Sequence, residues 1–200
     1  SGKLPDVKIA VNRNRYNVGV NLSAKATVSI LDDGFQHLGL KHDLDILMLD
    51  GDEFDTAIFP FGGRRDTLWR FNYLGQKNPA LCIVPKNFES KRQLECDCKV
   101  LHRNIKIGEI ESIKDASKKI NIAELHGKKV FLAAGIAKPI RFYKLIERTG
   151  IDIVGYKWFF DHKYDNLEKV KKVYNMSKKF QADIVLITEK DAVKIRKFAP

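Results

Sequence analysis

Short apolar runs rich in valine and isoleucine recur along the chain and predict β-strands. Within most of these runs the apolar residues follow one another instead of alternating with polar ones, which is typical of strands that are covered on both faces of a parallel sheet. The predicted strands span residues 7–11, 27–31, 45–49, 81–84, 130–133 and 183–187.

Two helical patterns lie in the C-terminal part of the chain. Pro139 suits the first turn of a helix, and apolar residues at helical spacing lead from it to Gly150, a favoured C-terminal stop. A second helix is predicted from about residue 167 to residue 179, with apolar residues near one face and lysines on the other. Strands that alternate with helices predict an α/β fold, with a mostly parallel sheet and flanking helices.

Residues 87–124 are polar, basic and weakly periodic, and they separate two better-patterned regions. We interpret them as a bridging segment, in which residues 100–107 are a candidate edge ribbon because polar and apolar residues alternate there. We therefore expect a core α/β segment over residues 1–86 and a C-terminal α/β subdomain over residues 125–200.

The composition fits a folded protein with an anionic partner. Of the 200 residues 44% are hydrophobic, which is enough for a sizeable core without disulfides. Lys and Arg number 36 against 25 Asp and Glu, a net charge of +11 that favours nucleic acid, nucleotide phosphates or an anionic membrane surface without choosing among them. Three cysteines without a secretory leader favour a cytosolic location. No apolar run reaches the roughly 18 to 20 residues of a membrane span.

The most informative window is the end of the second predicted strand, where Asp32 and Asp33 precede Gly34. Ligands of open α/β sheets bind beyond the carboxyl ends of the strands, and Mg²⁺ prefers one or two carboxylates together with phosphate oxygens and water. The pair is therefore a candidate Walker B element, with Gln36 and His37 within reach. A plain hairpin turn explains the Asp-Asp-Gly sequence equally well.

A longer motif goes beyond these three residues. Leu31-Asp-Asp-Gly-Phe-Gln-His37, followed by Asp43-Leu-Asp-Ile-Leu-Met-Leu49, resembles the tetraacyldisaccharide 4'-kinase family, the lipid A 4'-kinases. Further elements similar to those of the family occur in the same order: Arg15-Tyr16, Pro60-Phe-Gly-Gly-Arg-Arg-Asp66, Ala134-Gly-Ile-Ala-Lys-Pro-Ile-Arg-Phe142, Phe160-Asp-His-Lys-Tyr164 and Thr188-Glu-Lys-Asp-Ala-Val-Lys194.

The resemblance implies a P-loop-kinase-like fold and a membrane-associated transferase. Such a kinase moves the γ-phosphoryl group of ATP to the 4'-hydroxyl of a tetraacyldisaccharide 1-phosphate in lipid A biosynthesis. The implied cofactors are ATP and Mg²⁺, and the implied acceptor is an acylated glucosamine disaccharide phosphate. The implied location is cytoplasmic and peripheral, on the anionic surface at the inner face of the inner membrane.

The resemblance also implies roles for individual residues. Asp32 and Asp33 would hold Mg²⁺, and Asp33 would act in catalysis together with Arg65 and His162. Arg65 would meet phosphate oxygens, which suit a guanidinium fork, and His162 would lie near the reacting hydroxyl or its activating carboxylate. The implied nucleotide contacts are Gln36, His37, Arg15, Lys190 and Asp191.

Each of these assignments has a structural alternative. A histidine that follows an aspartate, as His162 does, is more often a loop residue bonded to its neighbour. Residues 62–65 also suit an exposed turn with two solvated cations. The Lys190-Asp191 pair also suits a plain helix N-terminus followed by an exposed lysine.

The Gly-rich phosphate-binding loop of the family, which ends in Gly-Lys-Ser or Gly-Lys-Thr, has no counterpart in the 200 residues. Such a loop aims backbone N–H groups and a lysine at the β and γ phosphates. We therefore expect a sheet that is incomplete at its N-terminal side, and a chain that corresponds to the C-terminal two-thirds of such a kinase and is inactive alone.

Two other functions stay open on the residues alone. A basic nucleic-acid-binding module is supported by the net charge and by aromatic residues beside lysines and arginines. Against it, the cations are spread through the chain and no nucleic-acid-binding motif is present, so no nucleic acid partner is expected. A nucleotide-binding homologue without catalysis is the second alternative.

Overall fold

The computed structural model describes residues 6–23, 26–35, 37, 40–49, 80–86, 98–160 and 163–198. They fall into two compact units, Ser1–Ile105 and Lys106–Pro200. The division between the units lies inside the segment 87–124 that the sequence predicts as a bridge.

The first unit contains one described helix and a parallel sheet. The helix is α1 (Arg15–Ser23), and the strands are β1 (Asp45–Met48), β2 (Ala80–Pro85) and β3 (Lys99–Arg103). The strand order is β1-β2-β3, and both pairs are parallel, with Asp45 opposite Ala80 and Leu81 opposite Lys99.

The central strand β2 carries the small core of this unit. Ala80, Cys82 and Val84 are buried on one face of the strand, and Phe35 and Leu47 pack against the first two. Burial raises the pKa of the Cys82 thiol to about 11, because the interior disfavours the charged thiolate. Cys82 is therefore a neutral core residue.

The second unit is built around another parallel sheet. A short antiparallel ribbon, β4 (Ile110–Glu111) with β5 (Lys119–Ile120), is followed by β6 (Lys129–Ala134), α2 (Pro139–Glu147), β7 (Asp152–Trp158), α3 (Leu167–Lys179), β8 (Ile184–Ile187) and α4 (Glu189–Ile195). Single 3₁₀ turns precede β6 and follow α4, at Ile122–Leu125 and Arg196–Phe198. The sheet order is β7-β6-β8, and both strand pairs are parallel.

Strand β6 is covered on both faces, which explains its unbroken apolar sequence. Val130 and Leu132 belong to one core cluster, with Ile146 of α2. Phe131 and Ala133 belong to another, together with residues of α3 and α4. The alternation of side chains along a strand therefore sends successive residues into two different cores. The sheet is the middle layer, between α2 on one face and the pair α3 and α4 on the other.

The helix ends carry the capping residues that the sequence would favour. Asn166 accepts a hydrogen bond from the backbone N–H of Lys169 at the start of α3, and Pro139 occupies the first turn of α2. Lys178 and Lys179 lie in the last turn of α3, where positive charge interacts favourably with the helix dipole. The predicted helix at 167–179 is confirmed with these bounds.

Two predicted strands are wrong. Residues 7–11 and 27–31 form no strand, and most of their apolar side chains are exposed, with Val11 at 94% and Ile30 at 92% of full accessibility. An apolar run becomes a strand only where a neighbouring strand and a covering layer are available. The described residues of this unit provide neither for these two segments.

Other elements differ from the sequence prediction in detail. β7 was not predicted, because Gly155 and Lys157 interrupt its apolar run. α1 was not predicted either, since its apolar residues do not follow a helical face. The candidate edge ribbon 100–107 corresponds to β3, which ends at Arg103 and lies at the end of the described strand order.

The prediction of an α/β fold with mostly parallel sheets and flanking helices is confirmed. Within the described ranges, no helix combines the length and the apolar character that crossing a membrane requires.

Candidate functional site

The Asp-Asp turn of the first unit is a tight and unusual piece of backbone. Asp33 adopts a φ of 54°, the left-handed region that aspartate tolerates better than most residues. The N–H of His37 donates to the carbonyl of Gly34 at 2.8 Å, which closes the following turn. Asp32 and Asp33 are both exposed on this turn.

Arg15, at the start of α1, holds this turn from the other side. Its Nη1 atom donates to the carbonyl oxygen of Asp32 at 3.0 Å and to that of Asp33 at 3.4 Å. The side chain of Asn14 accepts from the N–H of Asn17 and caps the helix in the same place. The guanidinium is therefore fixed beside the two aspartates by their backbone carbonyls, which leaves its positive charge near the end of the turn.

A cleft of about 410 Å³ opens beside this arrangement. It is lined by Arg13, Asn14, Arg15, Tyr16, His37 and Leu40. Two guanidinium groups, an amide and an imidazole provide several N–H donors and fixed positive charge, which suits a phosphate group. The structure thus brings together four of the predicted site residues: Arg15, Asp32, Asp33 and His37.

The donor set of the turn fits Mg²⁺ in the way that a nucleotide-bound Mg²⁺ is usually held. Mg²⁺ keeps several waters and takes one or two protein carboxylates together with phosphate oxygens. Asp32 and Asp33 provide two adjacent hard oxygen donors of this kind. In the part of the chain that the structure describes, no group of three or more metal-ligating side chains comes together, so a cage made of protein side chains alone is not formed there.

The second unit holds the other two described site residues, Lys190 and Asp191. Both lie in the first turn of α4, directly beyond the carboxyl end of β8. Thr188 caps this helix, since its side chain accepts from the N–H of Asp191. Lys190 is exposed, whereas Asp191 is fully buried.

The buried carboxylate of Asp191 reaches a neighbouring strand end. Its Oδ2 atom accepts from the backbone N–H of Gly135 at 3.0 Å and from the hydroxyl of Thr188 at 2.7 Å. Lys194 places its Nζ atom 3.9 Å from Oδ1. Both described hydrogen bonds of the carboxylate thus go to Oδ2, whereas Oδ1 is buried without a hydrogen-bond partner among the described residues.

The remaining predicted site residues, Gln36, Arg65 and His162, lie outside the described residues, as does the segment 60–66. Their roles stay predictions.

Sequence reasoning missed several residues that the structure places in these two sites. Arg13 lines the cleft beside Arg15, and its position one residue before Asn14 carries no recognisable signal. Thr188 was missed as a partner of Asp191, although the spacing of a threonine three residues before an acid is that of a capping box. Gly135 lies in a segment that is similar to one of the family's, and that similarity assigns it no role.

Comparisons with known proteins give a consistent result. The model of a family described as tetraacyldisaccharide-1-P 4'-kinase matches residues 2–200. The tetraacyldisaccharide 4'-kinase of Desulfotalea psychrophila is 30% identical over 183 residues, covering 88% of this chain and 51% of that protein. The corresponding kinase of Bdellovibrio bacteriovorus is 32% identical over 199 residues, covering 94% of this chain and 54% of that protein.

A solved structure agrees at the level of the fold. The crystal structure of the "apo" form of LpxK from Aquifex aeolicus in complex with ATP matches with a TM-score of 0.58 and 21% identity, covering 92% of this chain and 54% of that one. The chain spans about half the length of the curated relatives it matches.

Proposed function

Since the family model matches residues 2–200, the chain belongs to the tetraacyldisaccharide-1-phosphate 4'-kinase family, and we propose that the native-length protein transfers the γ-phosphoryl group of ATP to the 4'-hydroxyl of a tetraacyldisaccharide 1-phosphate. The observation that carries the proposal is the Asp32–Asp33 turn, held by Arg15 and placed beside a cleft rich in N–H donors. Phosphoryl transfer depends mainly on positioning and on charge neutralisation, and these are what this arrangement offers.

Within this proposal, Asp32 and Asp33 hold Mg²⁺ through their exposed carboxylates. When bound, the ion neutralises charge on the phosphate oxygens of ATP and orients them. Arg15 and His37 face the phosphates from the cleft as N–H donors. The catalytic role of Asp33 comes from the family resemblance, and its left-handed φ of 54° sets the direction in which its side chain leaves the turn.

The other proposed contacts follow from the family resemblance. Arg65 stabilises the charge that develops on the transferring phosphoryl group. His162 receives or orients the proton of the attacking 4'-hydroxyl as the bond to phosphorus forms and ADP leaves. Gln36 and Lys190 contact the nucleotide. The resemblance also places Asp191 among the nucleotide contacts, but we assign it no direct contact with the nucleotide, because its carboxylate is fully buried.

The proposal is tested by transfer of radiolabel from [γ-³²P]ATP with the native-length protein. Label is expected in the lipid fraction when Mg²⁺ and tetraacyldisaccharide 1-phosphate are both present, and excess EDTA should abolish it. Single-stranded oligonucleotide in place of the lipid is the control acceptor and should take no label. Label that never leaves ATP in the complete mixture would refute the kinase.

We further propose that the protein works as a peripheral protein at the anionic cytoplasmic surface of the inner membrane. The support is the net charge of +11 together with an acylated acceptor that resides in a bilayer. Screening by salt weakens attraction between exposed charges, so the distance over which they interact shortens from about 10 Å at 0.1 M to about 3 Å at 1 M.

Vesicle sedimentation tests this location. The native-length protein should pellet with vesicles that contain anionic phospholipid at 0.1 M NaCl, and should be released at 1 M NaCl. Vesicles of neutral phospholipid are the control and should pellet much less protein. Equal pelleting with both vesicle types at both salt concentrations would contradict an electrostatic contact.

A further inference from the structure

Three chain segments meet at the carboxyl end of the sheet in the second unit. Gly135 follows β6, the described residues 159–160 and 163–164 follow β7, and the Thr188 cap of α4 follows β8. All three strands are parallel, so these segments leave the sheet at the same edge. This is the edge at which open α/β sheets place their functional residues.

Asp191 ties the first and third of these segments together. Its Oδ2 atom accepts from the N–H of Gly135 and from the hydroxyl of Thr188, and its own N–H donates to the Thr188 hydroxyl oxygen at 3.2 Å. The side chain has no exposed surface. A buried carboxylate is unfavourable unless hydrogen bonds compensate for its lost hydration, so these contacts are a required part of the local structure.

Gly135 brings the second segment into the same cluster. A Cβ atom at this position would lie 2.7 Å from the Cβ of Tyr164, 2.9 Å from the backbone nitrogen of Tyr164 and 3.3 Å from Oδ1 of Asp191. Only glycine allows this approach. The loop after β6 therefore contacts Tyr164 and Asp191 at the same time.

Tyr164 in turn packs against Phe159, the first residue after β7. Its ring is buried and stacks on that of Phe159, with centroids 4.8 Å apart and planes 14° apart. The N–H of Phe159 donates to the carbonyl of Ala134, the residue before Gly135, at 2.9 Å. Burial and the charge of Asp191 both raise the pKa of Tyr164, which keeps its hydroxyl neutral. Both ends of the segment are thus fixed against the end of β6.

We propose that Asp191 is a positioning residue for phosphoryl transfer, which acts by fixing the ends of segment 159–164 through Gly135 and Tyr164. The inference rests on the proposed function, because that segment contains His162 in its sequence, three residues after Phe159 and two before Tyr164. A displacement of about 1 Å at a reacting group is enough to lower a rate by about 100-fold. Asp191 therefore affects the rate without contacting substrate.

The chain offers a matched control at the opposite end of the same strand. Asp183 precedes β8, and its Oδ2 atom accepts from the N–H of Lys129, the first residue of β6, at 2.8 Å. Each aspartate thus joins β6 to the β8 segment through one backbone N–H. The Asp183 contact lies at the amino end of β6, whereas the Asp191 contact lies at its carboxyl end.

The experiment compares Asp191→Ala, Asp191→Asn and Asp183→Ala in the native-length protein, at a temperature where circular dichroism shows each to be folded. Asp191→Ala is expected to lower kcat by about 10- to 100-fold and to leave the KM for ATP within about twofold. Asp191→Asn should recover most of that loss, because one amide oxygen can accept both hydrogen bonds. Asp183→Ala should keep the wild-type kcat.

Hydrogen exchange adds a readout that is independent of transfer. The Gly135 amide should lose protection in Asp191→Ala and keep it in Asp183→Ala. If Asp191→Ala does not fold, Thr188→Val is used in its place. Loss of the Thr188 hydroxyl, which donates to Asp191, should also lower kcat, and Thr188→Ser, which keeps a hydroxyl, should restore the wild-type kcat.

Several results would overturn the inference. The first is a wild-type kcat in Asp191→Ala although its Gly135 amide has lost protection. The second is a loss of kcat in Asp183→Ala equal to that in Asp191→Ala. The third is a KM for ATP raised more than tenfold in Asp191→Ala at unchanged kcat, which would make Asp191 a ligand contact. Absence of transfer by the wild-type protein would instead overturn the proposed function itself, so the two failures are distinguishable.

Discussion

Replacement of either aspartate of the turn, Asp32→Ala or Asp33→Ala, should lower the rate of phosphoryl transfer by the native-length protein by at least about 100-fold. The two carboxylates are exposed on a turn whose backbone is held by Arg15. Truncation therefore removes a charged oxygen donor for Mg²⁺ without removing a core contact. The effect should appear in kcat/KM for MgATP, measured by transfer of label to the lipid.

Asp115→Ala is the control for this pair. Asp115 is a partly exposed aspartate in a turn, where it accepts hydrogen bonds from the N–H and the hydroxyl of Ser117. Those bonds hold the pKa of Asp115 below its usual value. Its removal should change the rate by less than about twofold, since surface substitutions of this kind cost at most about 0.5 kcal/mol. Wild-type rates in both Asp32→Ala and Asp33→Ala would remove the basis for a metal site at this turn.

Truncation of the central core residue, Phe131→Ala, should destabilise the second unit by about 3–5 kcal/mol. Phe131 is fully buried in β6, and the centroid of its ring lies 5.6 Å from that of Phe180. It also fills the space over Gly155 of β7, where a Cβ atom would come within 3.0 Å of the ring. The cavity left by the missing ring is bounded by backbone on one side, so it cannot collapse easily.

Native-state hydrogen exchange of the amides of β6 measures this loss, because their exchange reports the free energy of opening of the surrounding structure. Val193→Ala is the matched control: Val193 lies on α4 and is 77% exposed. It should change the opening free energy by no more than about 0.5 kcal/mol. A loss below about 1 kcal/mol in Phe131→Ala would mean that β6 is not the centre of this core.

The second unit was largely predictable because its sequence pattern and its environment agree. Residues 130–133 are continuously apolar, and β6 is in fact covered on both faces. The helix Leu167–Lys179 begins after an asparagine cap and ends in two lysines, and both of these end signals can be recognised in the sequence. In such elements the residues at the ends mark where the helix or strand starts and stops. Their local conformational preference and their packing therefore favour the same structure.

The first unit shows where a pattern is insufficient. Residues 7–11 and 27–31 are also rich in apolar side chains, yet Val11 and Ile30 are exposed and unpaired with any strand that the structure describes. Apolar sequence expresses a tendency toward burial, whereas a strand also needs a partner for its backbone N–H and C=O groups. The identity of that partner is not encoded in the segment itself.

The candidate site was predictable in its residue types and only in part in its contacts. The Asp-Asp-Gly sequence suggested a turn with two carboxylates, and the turn is present. The hydrogen bonds from Arg15 to the carbonyls of the turn span 17 and 18 residues of sequence, and the bond from Gly135 to Asp191 spans 56. Contacts over such distances follow from the tertiary fold, so the burial of Asp191 and its bond from Gly135 have no signal in the local sequence.

The central claim, transfer to the 4'-position, is tested most directly by locating the phosphate in the product. The native-length protein is incubated with MgATP and tetraacyldisaccharide 1-phosphate, and the purified lipid is examined by ³¹P–¹H correlation spectroscopy. We expect a second phosphomonoester whose phosphorus couples to the proton on C4' of the distal glucosamine. Two results would contradict the account. One is hydrolysis of ATP to ADP and inorganic phosphate while the lipid stays unchanged, and the other is a lipid product whose new phosphate lies at another carbon.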